Sequence, residues 1–324
     1  MSLALGKDMT LKAFIDFTVE RLSVLYELQE AKSVAVRMLK EVLPGYKGYE
    51  HLVEPARDLE SFSDNVGDFL IGAVERLSTG EPLQYILGYE WFCGHKFCVS
   101  PGVLIPRPET EELVKLVTES AAVANSKGAR ILDICTGSGC IAWSVAAALP
   151  GAAVFGCDIS WDALSIARKQ EICPGAGSVM QDEVGRKGGN GETVGKARVN
   201  FFECDILSAG ALETICAECG DSAFDVIVSN PPYVCDSEKA LMQKNVLDFE
   251  PHLALFVPDS DPLVFYRRIA QLSGRLLKQG GMLFFEINER FGQEMLLMLR
   301  ELGYARCRVA KDLSGKDRMV EAVK

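Results

Sequence analysis

Histidine is scarce in this chain, with only His51, His95 and His252 among 324 residues and none at paired spacing. A structural zinc site asks for four ligands, and one Cys-x-x-Cys pair, Cys216 to Cys219, does not assemble them, so no metal is expected. Positive charge is also short. Lys and Arg total 34 against 45 Asp and Glu, a formal net charge of −11. Attraction to a phosphate backbone grows with positive charge, so no stable nucleic-acid binding is expected, although a local basic patch stays open. No run approaches the roughly 18 consecutive apolar residues of a membrane span, and the N-terminus lacks a basic-then-apolar signal pattern. A cytoplasmic protein with no membrane partner is therefore expected. No glycine-rich loop ends in the Lys-Ser/Thr pair of a phosphate loop, which argues against ATP. Eleven cysteines are too sparse in so long a chain for a disulfide scaffold. Cys135, Cys140, Cys157 and Cys204 fall in predicted strands and helix starts and read as buried free thiols.

Hydrophobic residues make up 48% of the chain, ample for a sizeable core, and the length allows two domains. Apolar residues recur at helical spacing from Met9 to Tyr26, from Ala31 to Leu43 and from about Asp58 to Leu77, where Gly80 closes the series. Residues 1–80 are thus expected to form a small helical domain. Residues 81–107 change character: Tyr85 to Phe92 and Lys96 to Val99, with Cys93-Gly94-His95 between them, predict a connecting β-hairpin. A helix is expected from Glu109 to about Ala124, and residues 108–324 then alternate strand and helix.

Strands are expected at 131–134, 153–157, 199–203, 225–228 and 281–287, with helices at 141–149, 161–171, 262–277 and 293–302. Such alternation predicts an α/β fold, a mostly parallel sheet covered on both faces. The closing strands, about Ala305 to Ala310 and Arg318 to Val323, suit an antiparallel edge. Residues 174–198 hold many glycines and charges and almost no apolar residues, which predicts a flexible surface insertion.

Two stretches carry chemistry. Asp133-Ile-Cys135-Thr136-Gly137-Ser138-Gly139 joins a strand to a helix, where glycines let a ligand approach the free N–H groups of the helix start. Asp158 ends the next strand, placed to accept hydrogen bonds from ribose hydroxyls, and Ile159 follows it. A nucleoside cofactor is implied. Gly137-x-Gly139-x-x-Ala142 also fits the dinucleotide fingerprint, so the loop by itself suits NAD as well as S-adenosylmethionine. Asp205 follows another strand and suits either an adenine amine, with Ile206 against the ring, or a helix cap.

The second stretch is Asn230-Pro231-Pro232-Tyr233, directly after the apolar run Phe224 to Ser229. The prolines stop the strand, so the tetrapeptide is expected at a strand's C-terminal end, where open α/β sheets bind ligands. They also hold Asn230 and Pro231 in extended backbone with their carbonyls free. With the Asn230 amide and the flat Tyr233 ring, this makes a slot for a planar group bearing an NH₂. No second domain with a candidate proton donor follows the sheet, as a hydride enzyme would want. These two features favour methyl transfer over NAD chemistry.

Together these residues resemble the class I S-adenosylmethionine-dependent methyltransferases, and more closely the bacterial glutamine methyltransferases of peptide-chain release factors. The likeness runs in order through Gln84 to Gly88, Ser100 to Glu111, Cys135 to Gly139, Asp158-Ile-Ser, Ser229 to Val234, Phe249-Glu-Pro251 and Asp312 to Arg318. It implies a seven-stranded, mostly parallel Rossmann-like methyltransferase sheet with an antiparallel edge, and a helical domain that docks the protein substrate. It further implies S-adenosyl-L-methionine as cofactor, held by Asp133, the 135–139 loop, Asp158, Ile159, Asp205, Ile206 and Asn230. The implied substrate is the glutamine of the Gly-Gly-Gln motif of a class 1 release factor, received by residues 230–233 with Pro106 and Arg107. A monomer is expected. Cys135 stands where that family commonly has glycine, and residues 174–198 exceed its usual connector. Trp91 to Phe97 also looks like the related enzyme that methylates a glutamine of a large-subunit ribosomal protein, so that substrate stays open, as does, more remotely, a nucleic-acid amine.

Overall fold

A computed structural model describes residues 11–43, 64–124, 128–172, 198–220 and 223–324. The expected insertion at 174–198 lies outside the described residues except for Arg198, as do 58–63 of the third expected helix. The chain divides into two compact units, Met1–Leu87 with Gln243–Phe249, and Gly88–Met242 with Glu250–Lys324.

The first unit holds α1 (Leu11–Leu22), α2 (Leu28–Val42), α3 (Asp64–Ser78), α4 (Leu83–Leu87) and, later in the chain, α10 (Lys244–Phe249). The apolar residues of α1 to α4 meet in one core, with Phe14, Leu22, Met38, Leu39 and Leu77 fully buried. Tyr85 to Leu87 form the short helix α4 rather than the start of a hairpin. Pro82 precedes the helix, where its missing N–H costs nothing, and Gly88 ends it at φ +79°, which glycine adopts freely.

The second unit opens with a hairpin of β1 (Tyr89–Phe92) and β2 (His95–Cys98), turned by Cys93 and Gly94, both at positive φ. This two-residue turn matches the strands' twist, and His95 belongs to β2 rather than to the loop. Next come α5 (Pro108–Thr118), α6 (Ala121–Ala124), β3 (Arg130–Ile134), α7 (Cys140–Ala148), β4 (Ala153–Asp158), α8 (Trp161–Ala167), β5 (Val199–Glu203) and α9 (Ala211–Cys219). The chain closes with β6 (Phe224–Ser229), β7 (Val234–Cys235), β8 (Phe256–Val257), α11 (Val264–Leu276), β9 (Leu277–Glu286), α12 (Gly292–Glu301), β10 (Ala305–Lys311) and β11 (Asp317–Val323). The sequence reading gave α9 no helix, and it carries the Cys216 to Cys219 pair. It also ended α11 one residue late and began β9 four residues late.

The sheet order is β10-β11-β9-β6-β3-β4-β5, with β11 antiparallel to both neighbours and the rest parallel. Side chains alternate between faces: Leu132, Ile227 and Leu283 enter one core, Ile131, Val226, Val228 and Phe284 the other. Burial on both faces explains why these strands read as continuous apolar runs. The chain proceeds outward from β3 through β4 to β5, then returns to build outward from β6, so the topological switch point lies between β3 and β6. Register then aligns what leaves that edge. Ile134 pairs with both Cys157 and Ser229, and Ser229 with Phe285. The glycine loop, Asp158, Asn230 and Glu286 consequently emerge at one level. Among the described residues no helix is long and apolar enough to cross a membrane. The described cysteines are all free; five are buried, and Cys98 is exposed.

Candidate active site

A cavity of about 290 Å³ opens at this switch point. Its wall includes Cys135 to Ser138 from the loop after β3, Asp158 and Ile159 from the end of β4, and Asp205 and Ile206 beyond β5. Asn230 and Pro232 after β6, with Pro106, Arg107 and Thr110 at the start of α5, complete the side described next. This is where strand-end ligands bind in open α/β sheets.

The loop is held from beneath. The Thr136 hydroxyl donates to Asp133 Oδ2 at 2.6 Å, and the Ala142 N–H of α7 donates to the same oxygen at 3.2 Å. Asp133 is fully buried and does not line the cavity, so it braces the loop. Burial pushes its carboxyl up to about 7. Its Oδ1 has no hydrogen-bond partner among the described residues. Gly139 caps the N-terminus of α7 at φ +78°, and a Cβ there would lie 3.0 Å from the Phe201 ring and 3.1 Å from Ala167. Gly137, at φ +54°, faces open space at the cavity wall. Cys135 is also left-handed, at φ +60°, a backbone region that favours glycine over a residue carrying a Cβ.

Asp158 has two tasks. Its Oδ2 accepts the Gly137 N–H at 2.8 Å and its Oδ1 the Ser160 N–H at 2.9 Å, while the carboxylate still borders the cavity. Each oxygen keeps a lone pair for a hydroxyl. Burial raises this carboxyl, and the backbone hydrogen bonds oppose the rise. Asp205 is not a helix cap, because Gly210 precedes α9. Instead its Oδ1 accepts the Leu207 N–H at 2.9 Å in a local turn.

Asn230 is half-buried, Pro231 and Pro232 are buried, and Tyr233 is half-buried beneath them. Pro231 and Tyr233 do not line the cavity. The Tyr233 backbone is fixed on both sides, its N–H donating to Leu255 at 3.1 Å and its carbonyl accepting from Asn288 Nδ2 at 3.2 Å. The Pro231 carbonyl and Asn230 Oδ1 accept no hydrogen bond among the described residues. Arg107 is engaged rather than free: its guanidinium pairs with the buried Glu250, whose other oxygen accepts the Ile105 N–H at 3.1 Å.

A carboxylate distant along the sequence also reaches residues 230–233. Glu286, the last residue of β9, is buried behind them and accepts the Tyr233 O–H at 3.2 Å and the Thr110 O–H at 2.6 Å. The sequence signal for it was a lone acid ending an apolar strand that would otherwise be buried.

No family model matches the chain. A release factor glutamine methyltransferase of Bacteroides thetaiotaomicron is 49% identical to it over 247 residues, 76% of this chain and 77% of that protein. One of Flavobacterium psychrophilum is 41% identical over 76% of each chain, and one of Neisseria gonorrhoeae 34% identical over 90% of this chain and 93% of its own. The solved release factor-specific protein-(glutamine-N5) methyltransferase of Alicyclobacillus acidocaldarius is 29% identical, covering 70% of this chain and 99% of its own, with a TM-score of 0.41. The identities of 49%, 41% and 34% to those three relatives, over three quarters or more of this chain, show that it belongs to the release factor glutamine methyltransferase family.

Proposed function

We propose that this chain transfers the methyl group of S-adenosyl-L-methionine to the side-chain amide nitrogen of the glutamine in the Gly-Gly-Gln motif of a class 1 release factor. The observation that carries the reading is Asn230 lining the same cavity as the glycine loop and Asp158, in a chain 49% identical to a release factor glutamine methyltransferase. The residues suit the cofactor. Gly137 leaves room at the wall, Asp158 keeps lone pairs for a ribose, and Asp205 with Ile206 offers an acceptor and an apolar surface for an adenine.

S-adenosylmethionine, when bound, supplies an activated methyl group. The chain's own part is to present the nucleophile. An amide nitrogen is poor at this because its lone pair is delocalised into the carbonyl. Asn230 Oδ1 and the Pro231 carbonyl take its two hydrogens, favour a more tetrahedral nitrogen and fix its direction, so positioning and electrostatics do most of the catalysis. No general base is required, since the proton is lost to water after transfer. Tyr233 supports the slot from behind.

In this reading the first unit docks the release factor, the enzyme acts as a cytoplasmic monomer, and its net charge of −11 keeps it off nucleic acid. The test is to incubate the purified chain and methyl-labelled S-adenosylmethionine with a release factor, a ribosomal large-subunit protein and an adenine-bearing oligonucleotide. Label in the release factor is expected. Label only in the ribosomal protein would move the assignment to that substrate, and label only in the oligonucleotide would overturn protein methylation.

A further inference from the structure

An asparagine amide is a donor on one side and an acceptor on the other, and only one orientation of Asn230 can receive an NH₂. What selects that orientation lies behind the residue. Thr110, on the first turn of α5, and Glu286, at the end of β9, are 3% and 1% exposed. Asn230 Nδ2 is 3.4 Å from Thr110 Oγ1, and Thr110 Oγ1 is 2.6 Å from Glu286 Oε2. An ionised carboxylate only accepts, so the single Thr110 hydroxyl proton must go to Glu286. Thr110 Oγ1 then has nothing but lone pairs to offer Asn230. The amide must turn its NH₂ to Thr110, which leaves Oδ1 for the cavity.

We infer that Thr110 and Glu286 are positioning residues that lock Asn230 with its oxygen towards the substrate, making the site accept an NH₂ donor and refuse a carboxylate. This rests on the proposed reading of the site. The lock has a defined failure. A proton on Glu286 makes that side chain a donor to Thr110, whose own hydroxyl can then donate a hydrogen bond to Asn230 Oδ1, and the amide turns its NH₂ into the cavity. The groups facing Glu286 are Thr110 and Glu109 of α5, Tyr233, Arg318 of β11 and Tyr266 of α11, whose hydroxyl donates to the Glu286 carbonyl at 3.1 Å. Burial raises the Glu286 carboxyl and Glu109 adds to the rise, while Arg318 and the Thr110 and Tyr233 hydrogen bonds oppose it. Ionised Glu286 is the working form, so turnover falls as pH falls, beginning above the ordinary carboxylate range.

The test measures methyl transfer to a release factor, with cofactor affinity read separately by calorimetry. Thr110→Val keeps the shape and removes the hydroxyl. It is expected to lower kcat by about tenfold or more while KM for the release factor and Kd for S-adenosylmethionine change less than about threefold. Thr110→Ser is expected to restore kcat to within about threefold. Glu286→Gln, a second isosteric variant, is expected to lower kcat and flatten the acid side of its pH profile. Equal losses in Thr110→Val and Thr110→Ser, or a Glu286→Gln enzyme with wild-type kcat and an unchanged acid limb, would overturn the lock. An unaltered chain that transfers nothing to a release factor would instead refute the substrate assignment on which it rests.

Discussion

Gly137 and Asp158 are 21 residues apart, yet the Gly137 N–H donates to Asp158 Oδ2 at 2.8 Å, so the acid ending β4 also holds the loop that follows β3. Ser160 N–H occupies the other oxygen at 2.9 Å. Both backbone groups are donors and need an acceptor. Asp158→Asn must turn an NH₂ towards one of them, and is expected to weaken S-adenosylmethionine binding by about tenfold or more through the loosened loop. Calorimetric titration checks this; unchanged affinity would mean that the carboxylate does not govern the loop.

The Asn230 acceptor should matter in the chemical step more than in cofactor binding. Asn230→Ala is expected to lower kcat by about a hundredfold or more, the scale of losing one positioned transition-state partner, with cofactor Kd within about threefold. Equal losses in kcat and cofactor affinity would make Asn230 a cofactor contact instead.

Cys135 is held at φ +60°, where a β-branched side chain is penalised and glycine is not. Cys135→Val is expected to destabilise by about 2 kcal/mol, while Cys135→Gly stays within about 1 kcal/mol of the parent. Urea unfolding decides between this and an ordinary extended backbone, for which the order of the two variants would reverse.

A Cβ on Gly156 would lie 2.6 and 2.7 Å from the Phe201 ring and 3.0 Å from Thr136 Oγ1, whereas one on Gly151 meets nothing within 4 Å. Gly156→Ala should therefore cost about 1–3 kcal/mol by overpacking, and Gly151→Ala no more than about 0.5 kcal/mol. Similar melting temperatures for the two variants would contradict the close approach of β4 to Phe201.

The buried Asp133 carboxyl gives a pH signature. With its folded value raised to about 7 from 3.8, the folded chain keeps a proton that the unfolded chain releases between those values. Its contribution is complete below about pH 4 and lost as pH rises through about 7. Asp158 and Glu286 are raised too and slope the same way, so the signal is the difference between the parent and Asp133→Asn. Unfolding free energies across this range should fall with pH more steeply in the parent; parallel curves would show that Asp133 is ionised throughout.

Much of this molecule could be read before its structure. The strand cores from Ile131 to Ile134 and from Phe224 to Ser229 were legible because both faces are buried, and the glycine loop because its torsions are special. Tyr85 to Leu87 misled because three apolar residues in a row fit either a strand or one helical turn, and only Pro82 and Gly88 decide it. Helix α9 was missed because its apolar face is short and interrupted by acids. Glu286 and Thr110 are separated by 176 positions, and only the pairing of Ser229 with Phe285 brings Glu286 beside Asn230. Spacing along a chain carries no such information.

The most direct measurement is to treat an unmodified class 1 release factor with the purified chain and S-adenosylmethionine, digest it, and locate the added methyl group by fragmentation mass spectrometry. The account predicts a single methyl on the side-chain nitrogen of the glutamine in Gly-Gly-Gln, absent with Asn230→Ala over the same time. An unmodified glutamine, or a methyl group on any other residue, would contradict it.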